Sequence, residues 1–412
     1  MPPRVSLGAF LARARSALTA PAPQRASPLT LVVGNESADL DSLCSAVVYA
    51  YLRTHAPPHT LQIPISNLPR DDLKLRTEMA AALAHARLSP DDLLTLDDVP
   101  ADLAPGDTRW VLVDHNALTG DLAARYAGRV VGCVDHHADE GAVPRDTGPD
   151  EPRVVETCGS CSSLVVEYCR PAWEKALAKA GDDDDDVDAH LAQLSLAAIL
   201  IDTTNLKSKD KTTDKDVAAV SFLERLAPPP YSRDALFGEI SAVKEDISSL
   251  SFRNVFRKDY KQWEDRGGGG DGGAGRSQLM GTSAVVQNLG YLVDKAGGDE
   301  QALLREFASW AAEKRLDIGV VMTTAHPGGR LEREVLVWAF NEAAVASCKA
   351  FHDRFAGELG LAPWRGGRLD GAGRDGGGGG WWRAAWTQAN VAASRKQVAP
   401  MLREAIRGGA RL

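Results

Sequence analysis

Leu31-Val32-Val33-Gly34-Asn35-Glu36-Ser37-Ala38-Asp39-Leu40-Asp41-Ser42 is the stretch that decides the fold. A short apolar run ends in glycine, two aspartates follow two residues apart, and helical spacing takes over in Leu43–Leu52. Strand, loop and helix in that order predict the start of a parallel, helix-covered sheet. Asp41 or Ser42 can cap the helix. Capping explains one of the two acids and leaves the other free to share a point in space with it.

The arrangement recurs along the first half. Val111-Leu112-Val113 runs into Asp114-His115-Asn116, and Val130-Val131-Gly132-Cys133-Val134 runs into Asp135-His136-His137. Ile199-Leu200-Ile201, the end of the run Leu191–Ile201, leads into Asp202-Thr203-Thr204 and reads as a fourth strand end. In open α/β sheets the carboxyl ends of the strands meet at the ligand crevice, so these groups are expected to converge. Carboxylates and imidazoles together suit Mg²⁺, Mn²⁺ or Co²⁺, and the lack of clustered cysteine ligands disfavours structural zinc.

Length and composition bound the rest. A chain of 412 residues predicts two domains. A hydrophobic content of 44% with 25% charged residues is that of a globular protein, and no apolar run approaches the roughly 18 residues of a membrane span. A net charge of −9 argues against general nucleic-acid binding, so a polyanion has to be met by locally concentrated cations. Six cysteines without a secretory-type start imply no disulfide framework and a reducing compartment, the cytoplasm. The first 35 residues hold Arg4, Arg13, Arg15 and Arg25 and no acid, which makes a mitochondrial presequence the alternative. The competing reading is an amphipathic helix, Leu7–Leu18, docking Leu7, Phe10, Leu11 and Leu18 on the body.

Ala227-Pro228-Pro229-Pro230 stops any helix, which predicts a domain at 1–227, a linker at 228–233 and a second domain at 234–412. Beyond it, Arg233–Leu250 reads as a helix and Leu279–Val286, Leu316–Thr323 and Arg330–Ala339 as strands, so the second domain is mixed α/β with a partly antiparallel sheet. The acidic run Asp182–Asp186 reads as solvated, and Gly267–Gly275 and Gly366–Gly380 as mobile loops. Cys158-Gly159-Ser160-Cys161 lacks the second pair a zinc or redox site needs. It reads as a turn opening the helix Ser162–Tyr168, its N–H groups aimed toward the site.

With these residues in view, the chain resembles the DHH superfamily of phosphohydrolases, named for the motif seen here as Asp135-His136-His137. The order of Gly34–Ser42, Val113–Asn116, Val134–His137, Gly159–Ser163 and Ile201–Asn205 is similar to the yeast-type exopolyphosphatases, cousins of the family II inorganic pyrophosphatases. Ser394-Arg395-Lys396-Gln397-Val398-Ala399-Pro400 is similar to the signature of the family's substrate-binding DHHA2 domain. The resemblance implies an active site in the cleft between a DHH domain and a DHHA2 domain. It implies two divalent metal ions on Asp39, Asp41, Asp114, His136 and Asp202, with Asp114 bridging them at the catalytic centre. His137 would be the second catalytic group, facing substrate. Arg395, Lys396 and Lys261 would grip phosphate, and Asn35 and His115 would contact metal or substrate.

Family II pyrophosphatases carry histidine where this chain has Asn35, a poorer ligand for Mn²⁺ or Co²⁺, which points toward Mg²⁺ and away from pyrophosphate. Prune-type relatives replace the last histidine of the motif, and this chain keeps His137. The implied activity is hydrolysis of the terminal phosphoanhydride bond of inorganic polyphosphate, releasing orthophosphate, by a monomer that binds neither nucleic acid nor membrane. Three alternatives stand beside it. The first is a pyrophosphatase or a phosphatase for short or nucleoside polyphosphates, so that the partners are small polyanionic phosphates in general. The second is a phosphodiesterase, whose Gly-Gly-Gly-His signature is broken here by Asp271 after Gly267–Gly270. The third is a prune-like interaction protein of weak activity.

Overall fold

The strand that opens this reading, β1 (Leu29–Val33), is buried at every position and occupies an inner place in a parallel sheet. The computed structural model describes residues 4–148, 150–178, 185–267, 276–374 and 379–408. The chain divides into two units, Met1–Lys244 and Glu245–Leu412.

The first unit runs α1 (Leu7–Leu18), β1, α2 (Leu40–Thr54), β2 (Gln62–Ile65), α3 (Thr77–His85), β3 (Thr108–Val113), α4 (Gly120–Tyr126), β4 (Val130–Asp135), β5 (Arg153–Val155), α5 (Cys161–Leu177), α6 (Asp185–Asp202), α7 (Asp214–Leu223) and α8 (Arg233–Glu245). Among the described residues its sheet has the order β2-β1-β3-β4-β5 with every pair parallel. From β1 the chain steps to one side for β2 and to the other for β3. The carboxyl ends of β1 and β3 therefore flank the topological switch point, where an open α/β sheet leaves a crevice.

One expected strand is a helix. Ile199–Ile201 forms the last turn of α6, which delivers Asp202 at its carboxyl end. Leu191, Ala192 and Leu194 through Leu200 are all buried, so the helix shows no polar face and its periodicity is silent. Length, 18 residues without a turn signal, is what separates it from a strand.

α1 belongs to the same core. Leu7, Phe10, Leu11, Ala14 and Leu18 are buried in it, and the Phe10 ring meets Tyr51 edge-on at 5.2 Å. Three of the four arginines that give this segment its presequence-like composition are paired with the body: Arg4 with Asp188, Arg15 with Asp98, and Arg25 with Asp102. The two units divide between Lys244 and Glu245, at the last residue of α8 and beyond the expected linker at 228–233, and Leu236 and Ile240 of α8 are buried in the first core.

The second unit runs α9 (Phe252–Lys258), β6 (Tyr260–Arg266), β7 (Ser277–Val285), α10 (Leu289–Lys295), α11 (Glu300–Glu313), β8 (Ile318–Thr323), β9 (Arg333–Ala339), α12 (Glu342–Leu359), β10 (Leu361–Pro363), β11 (Gly371–Arg374), β12 (Gly380–Gln388) and α13 (Arg395–Gly408). Its sheet follows the path β10-β12-β9-β8-β7-β6, with β11 on β12. Only β7 and β8 pair in parallel among the described strands. Side chains alternate between two cores. Ile318, Val320 and Met322 pack with Phe351 and Leu402, while Val321, Leu336 and Trp338 pack with Leu292, Phe307 and Trp310.

The stretch Gly366–Gly380, expected to be a mobile loop, contains β11. Its backbone pairs with β12 from Gly371↔Arg383 to Arg374↔Gly380, so ladder bonds supply the order that glycine side chains cannot. Residues 375–378 lie outside the described residues, as do 182–184 of the acidic run and 268–275 of the other glycine stretch. All six cysteines are buried and free. No helix among the described residues is long and apolar enough to cross a membrane.

Two expectations follow from this packing. Phe10→Ala removes a buried ring from the first core and is expected to cost about 3–5 kcal/mol in urea unfolding. In the second unit, Asp265 of β6 accepts from Arg403 and Arg407 of α13 at 2.8 and 2.7 Å. Burial pushes its carboxyl up, but the two arginines outweigh that and hold it below the ordinary carboxylate range. The stabilisation from such a lowered group is present above the ordinary carboxylate pKa and is lost as pH falls through the depressed value. Asp265→Asn is expected to cost about 1–2 kcal/mol at pH 7, modest because the arginine heads reach solvent. The gap to wild type should close as pH falls below about 4.

Candidate metal centre

Gly34 follows β1 at a point with no room for a side chain. A Cβ there would sit 2.6 Å from Cβ of Ser42, so glycine lets the first turn of α2 close on the strand end. Ser42 then reaches across to β3: its Oγ donates to Asp114 Oδ2 at 2.7 Å and accepts from the Asn35 N–H. The Asn35 side chain donates through Nδ2 to the same Asp114 Oδ2 at 2.7 Å, and its Oδ1 accepts from the Ser37 N–H. The opposite amide orientation would turn an oxygen toward the Asp114 carboxylate and carbonyl, so the network decides it. Asp114 Oδ2 is thus fully engaged, and Oδ1 is the oxygen left to face the histidines.

His136 Nε2 lies 3.1 Å and His137 Nδ1 3.7 Å from Asp114 Oδ1. His136 Nδ1 donates to the Cys158 carbonyl, so in the neutral ring Nε2 presents a lone pair to the carboxylate. Two lone pairs at that distance require a proton or a cation between them. His137 Nδ1 donates to Asp135 Oδ1 at 2.8 Å, and the Asn116 amide donates to Asp135 Oδ2 at 2.6 Å. Burial raises the Asp135 carboxyl, but the His137 bond and charge and the Asn116 bond carry it below its ordinary range. In the same way the His136 bond, both imidazoles and Ser42 overcome burial at Asp114 and hold it low.

Asp41 stands in the first turn of α2 and is buried. The amino end of α5 is aimed at it. Ser160 Oγ and the Ser162 N–H donate to Oδ1 at 2.8 and 2.9 Å, and the Cys161 N–H donates to Oδ2 at 2.7 Å. Even so, burial and then the nearby Asp202 and Asp114 charges push its carboxyl well above the usual range, against the pull of His136; Asp39 adds to the rise. Asp39 caps α2 through the Ser42 N–H.

Asp202, Asp114, His136 and Asp39 thus all lie within electrostatic reach of Asp41. Asp114, His136 and His137 place ligand atoms within 4.8 Å of one another. Buried carboxylates that repel one another, beside an imidazole lone pair, fit a divalent cation with oxygen and nitrogen preference. His115 instead turns Nδ1 back to the Val113 carbonyl.

The backbone is strained where these groups gather. Of nine non-glycine residues with positive φ among the described residues, five are here: Ala38, Asp114, and the consecutive Thr204, Asn205 and Leu206. Such strain persists only where surroundings impose it, and it collects at functional sites.

Within the second unit, Arg395 and Lys396 open α13. At its start the Ser394 N–H and Oγ donate to Gln397 Oε1 and Ser394 Oγ accepts from the Lys396 N–H, and Arg395 donates to the Asp259 carboxylate at 2.8 Å and carbonyl at 3.1 Å. Lys261 follows Asp259 by two residues on β6. Gln388 holds the preceding turn by donating to the Asn390 and Ala393 carbonyls. Gln388 and Asp216, which ties down the turn before α5, carry no signal in the sequence, and Ser42 and Asn116 stand in the motifs without the roles they take on Asp114 and Asp135. Only the contacts reveal them.

The DHH family, N-terminal domain, matches residues 30–199, and the DHHA2 domain matches residues 238–405. A Schizosaccharomyces pombe protein named "Putative exopolyphosphatase" is 31% identical over 98% of this chain and 99% of its own length. The rat protein named exopolyphosphatase PRUNE1 is 27% identical over 93% of this chain and 76% of its own. A manganese-dependent inorganic pyrophosphatase of Methanothrix thermoacetophila is 25% identical over 71% of this chain and 80% of its own. In three dimensions the chain is similar to a Methanococcus jannaschii crystal structure of a "putative family II inorganic pyrophosphatase", with a TM-score of 0.56, 20% identity, and coverage of 92% of this chain and 99% of that one.

Ser42 tests the centre without replacing any candidate ligand. Ser42→Ala removes one of the two donors that orient Asp114 and is expected to weaken Mn²⁺ binding about tenfold in calorimetric titration, with the fold retained. Unchanged affinity would show that Asp114 is not held for a cation.

Proposed function

This chain belongs to the DHH family and carries a DHHA2 domain, and from that premise we propose that it is an exopolyphosphatase. It is a metal-dependent phosphoanhydride hydrolase, and the proposed reaction removes terminal orthophosphate from inorganic polyphosphate. The observation that carries the reading is Asp114 Oδ1 facing His136 and His137 among buried carboxylates. Two divalent cations held by Asp39, Asp41, Asp114, His136 and Asp202 would supply an acidified water and neutralise charge on the departing phosphate.

The side chains divide the remaining work. Asn35 and Ser42 fix Asp114, and the amino end of α5 fixes Asp41. His137, whose Nδ1–H is committed to Asp135, would as an imidazolium donate a hydrogen bond or proton from Nε2 to a phosphoryl oxygen. Arg395 offers a bidentate grip and Lys396 a point charge for the phosphates not being cleaved, with Lys261 as a further cation.

Polyphosphate is favoured over pyrophosphate by Asn35. Its amide is spent as a donor to Asp114 and as an acceptor from Ser37, so it presents no free nitrogen lone pair to a metal where the pyrophosphatases carry histidine. The relatives named exopolyphosphatase support the same substrate. The compartment proposed is the cytoplasm.

Orthophosphate release from long-chain polyphosphate, tripolyphosphate and pyrophosphate, with Mg²⁺, Mn²⁺ or Co²⁺, tests this. Polyphosphate and tripolyphosphate should be preferred, chelation should abolish release, and Asp114→Ala and Arg395→Ala should each lower it about 10²–10³-fold. If neither substitution lowers release, the residue assignment fails. If pyrophosphate is the best substrate, the polyphosphate reading fails.

A further inference from the structure

The acid that the proposed chemistry leaves unused is Asp216, one turn into α7 and fully buried. Its carboxylate collects donors from a single turn and from its own helix start. Oδ1 accepts from Ser163 Oγ at 2.6 Å, the Ser160 N–H at 3.2 Å and Cys158 Sγ at 3.2 Å. Oδ2 accepts from the Gly159 N–H at 3.0 Å, the Thr213 N–H at 2.7 Å and Thr213 Oγ1 at 2.8 Å. A helix cap needs only the Thr213 pair. The other four donors come from the segment Cys158–Ser163, which presents its remaining groups to Asp41.

We propose that Asp216 is the positioning residue for Asp41, clamping the 158–163 turn so that the turn dictates which Asp41 oxygen is left for a cation. Ser160 is the link: its N–H goes to Asp216 and its Oγ to Asp41. Asp41 Oδ1 is occupied by Ser160 Oγ, the Ser162 N–H and a longer Ser45 contact, whereas Oδ2 holds only the Cys161 N–H. One lone pair of Oδ2 therefore remains. The same clamp reaches the neighbour of Asp202, since a Cβ on Gly159 would lie 2.7 Å from both Asp216 Oδ2 and Thr203 Cγ2. A side chain at 159 would push the turn that donates to Asp41 away from Asp216 and from Thr203, the residue next to Asp202.

The inference rests on the divalent-cation reading above, and Mn²⁺ titration of the full chain by calorimetry tests it apart from turnover. Asp216→Asn turns one acceptor into a donor facing donors, and it should raise the Mn²⁺ dissociation constant at least tenfold, as should Gly159→Ala. Asp265→Asn is the control, a buried carboxylate of the other unit whose loss should lower the unfolding midpoint without changing Mn²⁺ affinity. Thr213→Val, which removes one donor to Asp216, should raise the constant about threefold even if Asp216→Asn does not fold. Unchanged Mn²⁺ affinity in folded Asp216→Asn, or in Thr213→Val where the first variant does not fold, overturns the proposal. A lowered midpoint with intact affinity overturns it equally, by making Asp216 a fold residue alone. Absence of Mn²⁺ binding by the wild type overturns both this inference and the reading beneath it, and so is told apart from failure of the clamp.

Discussion

Carboxylates buried within reach of one another are the constraint to which the rest of the first unit answers. The buried Asp41 and Asp114 and the half-buried Asp202 repel, and burial magnifies the repulsion by removing water. The fold counters this with placed hydrogen-bond donors. It aims the start of α5 at Asp41, folds Asn35 and Ser42 onto Asp114, and hangs His137 and Asn116 on Asp135. These are donors that fix orientation and offset part of the charge. The remainder is left to a dication, which is why the arrangement reads as a site and not as a core. The sheet order makes it possible, because β1 and β3 end side by side where the chain changes direction.

How much of this could be read beforehand depended on whether a residue announces its partner locally. The strand ends at Val33, Val113 and Asp135 were legible because β-branched runs stop at polar clusters, and the turn before α5 was legible from glycine and serine. Ile199–Ile201 was not, because a helix buried on every side loses the pattern that identifies helices. β11 was hidden for the opposite reason. Its order comes from ladder bonds to β12, a contact that composition cannot express. Asp216 was the hardest, since Thr213 and Asp216 form a capping box that already accounts for an acid at that spacing. The four further donors come from a segment more than fifty residues upstream.

Backbone strain extends the same logic to the connections. Ala38 lies between Ser37 and Asp39, Asp114 is itself in the left-handed region, and three left-handed residues begin two positions after Asp202. Each such conformation costs on the order of 1–3 kcal/mol, and none has glycine to relieve it. The costs are local, whereas the compensation is distributed. Asn205 N–H is held by the Leu200 carbonyl, Leu206 N–H by Thr203 Oγ1, and the Ser37 carbonyl by the buried Arg76. A rigid parallel sheet behind the loops supplies the rest.

The two units handle charge in opposite ways. The first concentrates acids where a phosphate must be attacked, so without cations it would repel the substrate proposed for it. The second presents basic groups on an element pinned by an acid: Arg395 is anchored by Asp259, and the turn before it is held by Gln388 and by Arg333 on the Val391 carbonyl. A guanidinium already oriented by one carboxylate loses less freedom when it meets a phosphate, at the expense of competition from that carboxylate. In a chain of net charge −9, attraction for a polyanion cannot come from the overall field. On the proposed reading it comes from bound dications and a few placed cations, which would make metal loading a condition of substrate binding as well as of bond cleavage.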